Sequence, residues 1–187
     1  MLKSVQKSET TFDEMQKILG SQKRASLTEG LVSNKLRYDR LERAVNVIKK
    51  NEQKFVDAMI SDFGHRSPHQ SRVSDIALSI SSLRYAQKNL TRWRKSEKRS
   101  AIFPLNLLGA KARVDFQPLG VIGVISPWNF PVNLTFAPLA GILSAGNRVM
   151  IKPSEYTPET SNTMAEAISE EFDIDEIAVV LGGPETG

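Results

Sequence analysis

The fold is decided by Gln117-Pro-Leu-Gly-Val-Ile-Gly-Val-Ile-Ser-Pro-Trp-Asn-Phe-Pro131 and, after a further apolar stretch, by Ala145-Gly-Asn-Arg-Val-Met-Ile-Lys-Pro-Ser-Glu155. The run from Val121 to Ile125 contains no polar side chain and lies between turn residues. Such a run is typical of a central parallel strand that is covered on both faces. It therefore predicts a sheet in which this strand is buried.

Helices and strands alternate after this first strand. A predicted helix from Pro131 to Ser144 ends at Ala145-Gly-Asn147, because glycine can take a positive φ. Arg148 to Lys152 is the next predicted strand. A helix from Thr157 to about Glu171 then leads to a third strand, Ile177 to Leu181. This order predicts a βαβαβ unit with a parallel sheet, and an α/β fold class.

The N-terminal half is predicted to be helical, because its apolar residues recur at helical spacing. One helix should end at Gly64, and a second should begin at Ser67-Pro68 and run to about Ser96. The inward residues are Leu41, Val45, Ile48, Phe55 and Met59 in the first helix and Val73, Ile76, Ile80, Leu83 and Leu90 in the second. Turn residues followed by polar–apolar alternation up to Gln117 predict a β-hairpin over residues 101–117.

Composition limits the chemistry of this chain. The 187 residues include no cysteine, which excludes disulfides, thiolate catalysis and cysteine-ligated metal within them. No apolar run is long enough to span a membrane. The stretch from Met1 to Met15 is polar and has no apolar core of a secretory signal. We therefore expect a cytoplasmic protein that does not act in a membrane.

The charged residues predict neither nucleic-acid binding nor a metal site. Much of the net charge of +4 lies in the run Arg92, Arg94, Lys95, Lys98 and Arg99. We interpret this run as a solvated helix end, because nucleic-acid binding needs a broader basic stripe with aromatic platforms. His65 and His69 have no third ligand nearby in the sequence, and Gly64 and Pro68 break any helix that would align them.

Polar clusters follow each predicted strand, at Ser126–Asn129, Lys152–Glu155 and Gly182–Glu185. Ligands of open parallel sheets bind beyond these strand ends. Lys152 and Glu155 can form an ordinary ion pair or hold the ribose hydroxyls of a nucleotide, and their spacing does not choose between the two. Asn129 precedes a helix, so its position favours a helix cap, although its amide can also stabilise an oxyanion.

The chain closely resembles the aldehyde dehydrogenase superfamily in four blocks: Pro118-Leu-Gly-Val121, Ser126-Pro-Trp-Asn-Phe-Pro131, Ala145-Gly-Asn147 and Ile151-Lys-Pro-Ser-Glu155. Its helical first half is most similar to the class 3-type branch, and the whole is closest in look to coniferyl aldehyde dehydrogenases. The resemblance implies an N-terminal helical layer followed by a partial Rossmann-like parallel sheet. It divides the chain into a helical segment (1–100), a hairpin (101–117) and the first part of an NAD-binding domain (118–187).

The resemblance implies a role for each polar cluster. Asn129 matches the catalytic asparagine that stabilises an oxyanion. The matches to cofactor contacts are Ile125, Ser126, Pro127 and Trp128 beside the nicotinamide ribose, Lys152, Ser154 and Glu155 at the adenosine ribose, and Gly183 and Pro184 beside the adenine. The implied cofactor is NAD, with NADP as the alternative. Glu155 favours NAD because a carboxylate repels a 2′-phosphate.

The implied reaction is the oxidation of an aldehyde to a carboxylic acid by a homodimer. The family's nucleophilic cysteine and general-base glutamate are not matched by any of these residues, so we expect the 187 residues alone to be inactive. Two hypotheses remain. In the first, the chain is the N-terminal part of a dehydrogenase whose substrate is an aldehyde of the aromatic or coniferyl type. In the second, it is a non-catalytic remnant or interaction protein that has kept the fold.

Overall fold

The computed structural model describes residues 9–187, so the parts of the helical and leader interpretations that fall on residues 1–8 lie outside the described residues. The helices are α1 (Phe12–Glu29), α2 (Asn34–Lys50), α3 (Glu52–Phe63), α4 (Pro68–Gln70), α5 (Leu78–Trp93), α6 (Asn133–Ala145) and α7 (Pro158–Ser169), and a π-helix, Ser71–Ala77, joins α4 to α5. The strands are β1 (Glu97–Arg99), β2 (Ala112–Val114), β3 (Val121–Ile125), β4 (Arg148–Lys152) and β5 (Ile177–Val179).

The βαβαβ prediction is confirmed. Strands β3, β4 and β5 form a parallel sheet in that order. The prediction that β3 is a buried central strand was wrong, because within residues 9–187 it is an edge strand and none of its five residues is buried. Helix α6 connects β3 to β4 and helix α7 connects β4 to β5, and both lie within two residues of their predicted bounds. Strand β5 is shorter than predicted, but the Val180 N–H still donates to the Ile151 carbonyl, 2.8 Å away. The strand ends that were expected to carry the site therefore lie along one edge.

The first helical stripe is buried as predicted, but it belongs to two helices. Leu41, Val45, Ile48, Phe55 and Met59 are all fully buried in one core with α6 and the sheet. The prediction of a single helix was wrong, because Asn51 separates α2, which ends at Lys50, from α3, which begins at Glu52. The Asn51 side chain is buried and donates to the Val47 carbonyl at 3.1 Å, which suits a residue that competes with helical backbone bonds.

The second helical prediction needs a correction at its start. Ile76, Leu83 and Leu90 are buried, but Val73 is half exposed. Val73 lies in the π-helix, whose wider turn shifts the side chains out of the phase that an α-helix would give them. Helix α5 also ends at Trp93, before the predicted Ser96.

The hairpin begins earlier than predicted. Its strands are β1 and β2, which pair antiparallel with Glu97 opposite Val114, and residues 101–104 are not a strand. Strand β1 reads Glu-Lys-Arg and is exposed, so it has no apolar pattern from which it could be predicted. The basic run is therefore divided: Arg92 lies in the last turn of α5, whereas Lys98 and Arg99 lie in β1.

Candidate functional site

Two of the three polar clusters line one cavity. Its volume is about 370 Å³, and its lining residues are Glu9, Pro153, Ser154, Glu155, Pro158, Ser161, Asn162, Leu181, Gly182 and Gly183. The parallel pairing of β4 and β5 brings the second and third clusters together at this edge. Residues 125–129 do not line the cavity, although the Ser126 N–H donates to the Lys152 carbonyl at 3.0 Å.

Lys152 and Glu155 form an ion pair at the end of β4. The Lys152 ammonium lies 2.7 Å from a Glu155 carboxylate oxygen and 3.4 Å from the Pro153 carbonyl. The lysine is buried, whereas Glu155 keeps 29% of its side chain exposed. The hydrogen bond from Lys152 lowers the pKa of the Glu155 carboxyl, so this carboxyl is ionised at neutral pH. A charged acceptor, Glu155, thus lines the cavity, and an ammonium donor lies directly beside it, although Lys152 is not itself a lining residue.

The other predicted contacts at this edge have different surroundings. The buried Ser154 hydroxyl accepts from the Tyr156 N–H at 3.2 Å, so it stabilises its own turn. Gly183 lines the cavity, but Pro184 does not; Pro184 is exposed and begins a short 3₁₀ turn.

Glu9 is a lining residue that the motif reading missed. The neighbouring Thr10 N–H donates to the Leu181 carbonyl at 2.8 Å, and the Leu181 N–H donates to the Thr10 hydroxyl at 3.0 Å. These two bonds hold the start of the described chain against the end of β5. A contact between residues so far apart in sequence has no local signal from which it could be predicted.

The cluster after β3 lies apart from the cavity. Ile125, Pro127, Trp128 and Asn129 are exposed, and the Ser126 hydroxyl is buried, where it accepts from the Thr135 hydroxyl at 2.7 Å. Exposed side chains next to a strand end can form the wall of a site when a ligand binds there. The four exposed residues are available for such a contact, and Ser126 holds the strand end in place.

Asn129 is not a helix cap. Helix α6 begins at Asn133, and its capping residue is Val132. The carboxylate of Asp75 accepts from the Val132 and Asn133 N–H groups, each at 3.1 Å, and so performs the capping from another helix. Within residues 9–187, no hydrogen bond joins the Asn129 side-chain amide to another residue. The amide therefore has both donors available for a ligand.

The remaining two blocks of the motif are structural. The Asn147 side-chain oxygen accepts from the Gly120 N–H at 3.0 Å, which ties Ala145-Gly-Asn147 to Pro118-Leu-Gly-Val121. Gly120 has a φ of +112°, a conformation that favours glycine. This tie fixes the starts of β3 and β4 relative to each other, at the opposite end of the sheet from the cavity.

Within residues 9–187, no group of three or more His, Cys, Asp or Glu side chains is arranged to hold a metal ion. None of the helices in the same range combines the length and apolarity that crossing a membrane requires.

Comparisons with known proteins identify the family. The model of the aldehyde dehydrogenase family matches residues 3–187. Coniferyl aldehyde dehydrogenase of Pseudomonas sp. (strain HR199 / DSM 7063) is 47% identical over 175 residues, which cover 94% of this chain and 36% of that protein. Aldehyde dehydrogenase family 3 member B1 of Rattus norvegicus is 39% identical over 156 residues, or 83% of this chain and 33% of that protein. The chain belongs to the aldehyde dehydrogenase family.

A solved structure supports the fold. Succinic semialdehyde dehydrogenase from Streptococcus pyogenes, in complex with NADP+ as the cofactor, matches with a TM-score of 0.82 at 16% identity, over 96% of this chain and 38% of that one. The chain therefore has the aldehyde dehydrogenase fold with a Rossmann-like parallel sheet. It spans about 36% of the length of the coniferyl aldehyde dehydrogenase it matches, and the match covers the N-terminal portion.

Proposed function

We propose that this chain is the first part of the cofactor-binding half of an aldehyde dehydrogenase that uses NAD. The observation that supports this proposal most strongly is the Lys152–Glu155 pair, in which Glu155 lines a cavity of about 370 Å³ at the strand ends. A carboxylate in this position accepts hydrogen bonds from both hydroxyls of a ribose, and the adjacent ammonium donates to the same sugar. Residues 118–187 would supply most of this site, and the helices within residues 9–100 would cover the sheet.

The residues present fit a dinucleotide. The ionised Glu155 and a second acidic residue, Glu9, both line the cavity, while the Lys152 charge is already paired. A 2′-phosphate would therefore meet negative charge, which favours NAD over NADP. Ser154, Gly183 and Pro184 would complete the adenosine end. Ile125, Ser126, Pro127 and Trp128 would form the wall beside the nicotinamide ribose.

NAD, when bound, accepts a hydride from the substrate. In this chain Asn129 is the catalytic candidate, because its amide can donate to the oxygen that gains negative charge during addition to an aldehyde. The relatives' names favour an aromatic aldehyde of the coniferyl type. The nucleophile and the general base would come from residues outside this sequence, so these 187 residues alone would not oxidise aldehydes.

The setting of the protein is also a proposal. We infer a cytoplasmic enzyme that works as a homodimer and binds neither nucleic acid nor membrane. The family resemblance supports the dimer. The divided basic run, with Arg92 on a helix and Lys98 on a strand, gives no continuous stripe for a nucleic acid.

Calorimetric titration of NAD into the purified chain tests the nucleotide site. Without the rest of a complete enzyme the affinity should be about millimolar, or ~4 kcal/mol. Lys152→Ala should weaken binding about ten-fold, because a hydrogen bond to a charged group is worth ~1.5–3 kcal/mol.

Lys50→Ala is the matched control, because Lys50 also pairs with a glutamate, Glu171, and neither residue lines the cavity. It should bind NAD as the parent does. Circular dichroism should verify that both variants are folded. Equal binding by the parent and Lys152→Ala would remove this pair from the site. No binding by the folded parent would favour a non-catalytic interaction protein.

A further inference from the structure

An arginine contacts the middle of the segment that carries Asn129. We call residues 126–131 the asparagine loop. The Arg66 guanidinium donates to the Asn129 carbonyl at 2.9 Å, and it lies over the Phe130 ring at 5.2 Å and the Phe63 ring at 4.7 Å. Phe63 in turn contacts Trp128, with ring centroids 6.5 Å apart. Arg66 and the rings therefore hold the middle of the loop. Other bonds hold its two ends: the Ser126 N–H donates to the Lys152 carbonyl at 3.0 Å, and the Phe130 carbonyl accepts from the Leu134 N–H at 2.9 Å.

Asp75 connects this arginine to the helix that follows the loop. Its carboxylate is fully buried: one oxygen pairs with Arg66, and the other accepts from the Val132 and Asn133 N–H groups. One carboxylate thus fixes the start of α6 and the arginine together. Burial raises the pKa of Asp75. The hydrogen bonds from the Asn133 and Val132 N–H groups and the positive charge of Arg66 lower this pKa and so offset part of the rise. An acidic side chain held in this way is costly unless all its partners are in place.

The π-helix explains how Asp75 reaches both partners. Residues Ser71–Ala77 form the wider turn, and Asp75 lies within it. The Ser79 hydroxyl donates to the Asp75 carbonyl at 2.5 Å, which further ties this turn. π-helical turns are uncommon in proteins, but those that do occur are often found at functional sites. A segment with only α-helical turns would change the phase of Asp75 relative to α6.

We propose that Arg66 and Asp75 are positioning residues that set the place of the Asn129 amide. Asp75 orients Arg66, and Arg66 holds the main chain of Asn129. The Asn129 side chain is therefore attached to a backbone that is held in one position. The amide donors are then held ready for an oxyanion and need not be ordered when the reaction occurs. The positioning of the loop is independent of the proposed function, whereas its catalytic purpose rests on it.

Trp128 gives a direct readout of the loop. The chain has two tryptophans, so a Trp93→Phe background leaves Trp128 as the only one. Arg66→Gln and Asp75→Asn should be made in this background, and acrylamide quenching of Trp128 measured. Because Trp128 is already 53% exposed, complete release of the loop would raise the quenching constant at most roughly two-fold. Arg66→Lys keeps the charge and should restore part of the effect.

Arg72→Gln is the matched control, since Arg72 is also an ion-paired arginine in this region, but its pair with Glu52 is exposed. It should leave the quenching of Trp128 unchanged. The side-chain amide resonances of Asn129 in ¹⁵N spectra should shift in Arg66→Gln and not in Arg72→Gln. These readouts need no cofactor, so failure to bind NAD would count against the proposed function and not against this inference.

The outcomes separate positioning from a purely structural role. If Arg66→Gln lowers the unfolding midpoint but leaves both the Trp128 quenching and the Asn129 resonances as in the parent, Arg66 is only structural and the inference is wrong. If Asp75→Asn fails to fold, the arginine variants still decide. Release of the loop in Arg66→Gln, with partial recovery in Arg66→Lys, supports the inference.

Discussion

Gly146 shows how a single residue can be required for two independent reasons. It ends α6 with a φ of +86°, which disfavours any side chain. A Cβ at this position would also lie 2.7 Å from the guanidinium carbon of Arg37. Arg37 is buried and cannot move away easily, because it donates to the Val32 carbonyl at 3.1 Å and to the Ser144 carbonyl at 2.8 Å.

Gly146→Ala should therefore lower the free energy of unfolding by about 2–4 kcal/mol, from backbone strain and overpacking together. Gly141→Ala is the matched control. It makes the same chemical change within α6, where a Cβ would meet nothing within 4 Å. It should raise stability by about 0.5–1 kcal/mol, because alanine is the better helix former. Urea denaturation measures both; equal effects of the two changes would refute the role of Arg37.

The sequence alone identified some of these residues and missed others. The glycine turn at Gly146 was predicted, because a helix followed by Gly-Asn is a local pattern. Its packing against Arg37 was not, since the two residues are far apart in sequence and arginine is seldom buried. The pairing of Lys152 with Glu155 is local and was one of two predicted alternatives. Asp75 and Arg66 are distant in sequence from Asn129 and carried no motif.

At the scale of elements, Glu176 joins α2 to the start of β5. It accepts from Arg40 at 2.9 Å and from Arg43 at 2.7 and 2.9 Å. Arg40 also pairs with Glu29 at the end of α1, at 2.7 Å. Burial alone would raise the pKa of Glu176, but the hydrogen bonds and charges of Arg43 and Arg40 lower it to about 2.

This pair of arginines should make stability depend on pH. A carboxyl whose pKa is depressed on folding stabilises the protein above its unfolded pKa, here 4.5, and loses that contribution as the pH falls toward about 2. The contribution is on the order of 3 kcal/mol at neutral pH. The free energy of unfolding should fall between pH 4.5 and 2, and the fall should be smaller in Glu176→Gln.

Urea denaturation at stepped pH measures this difference. Glu52→Gln is the control, because Glu52 also pairs with an arginine but at the surface. It should leave the pH dependence close to that of the parent. A Glu176→Gln profile parallel to the parent profile over this range would contradict the role of Glu176 in holding α2 to the sheet.

The elements that sequence patterns predicted are those with a regular period. Strand β3 and strand β4 have their predicted bounds, because short apolar stretches between turn residues mark strands, although only β4 is largely buried. The break at Asn51 and the π-helix at Ser71–Ala77 were missed, since both interrupt a periodic stripe without ending it. Strand β1 was missed because it is short, charged and held only by β2.

For the whole molecule, the sheet topology and the family were accessible from sequence, while the shape of the cavity was not. The four motif blocks divide into two that tie the starts of the strands and two that follow their ends. Glu9 lines the cavity because the neighbouring Thr10 is hydrogen-bonded to Leu181. This contact forms only in the assembled fold. The resemblance gave the candidate residues of the site, and the structure gave their neighbours.

We have proposed that a nucleotide binds at the carboxyl ends of β4 and β5. NAD should be added to the ¹⁵N-labelled chain, and the backbone amides whose resonances move should be mapped. We expect the largest shifts at Ser154, Glu155, Gly182 and Gly183, which line the cavity, with Glu9 also affected. Shifts confined to another surface, or no shifts at millimolar NAD in the folded chain, would show that the nucleotide does not bind at these strand ends.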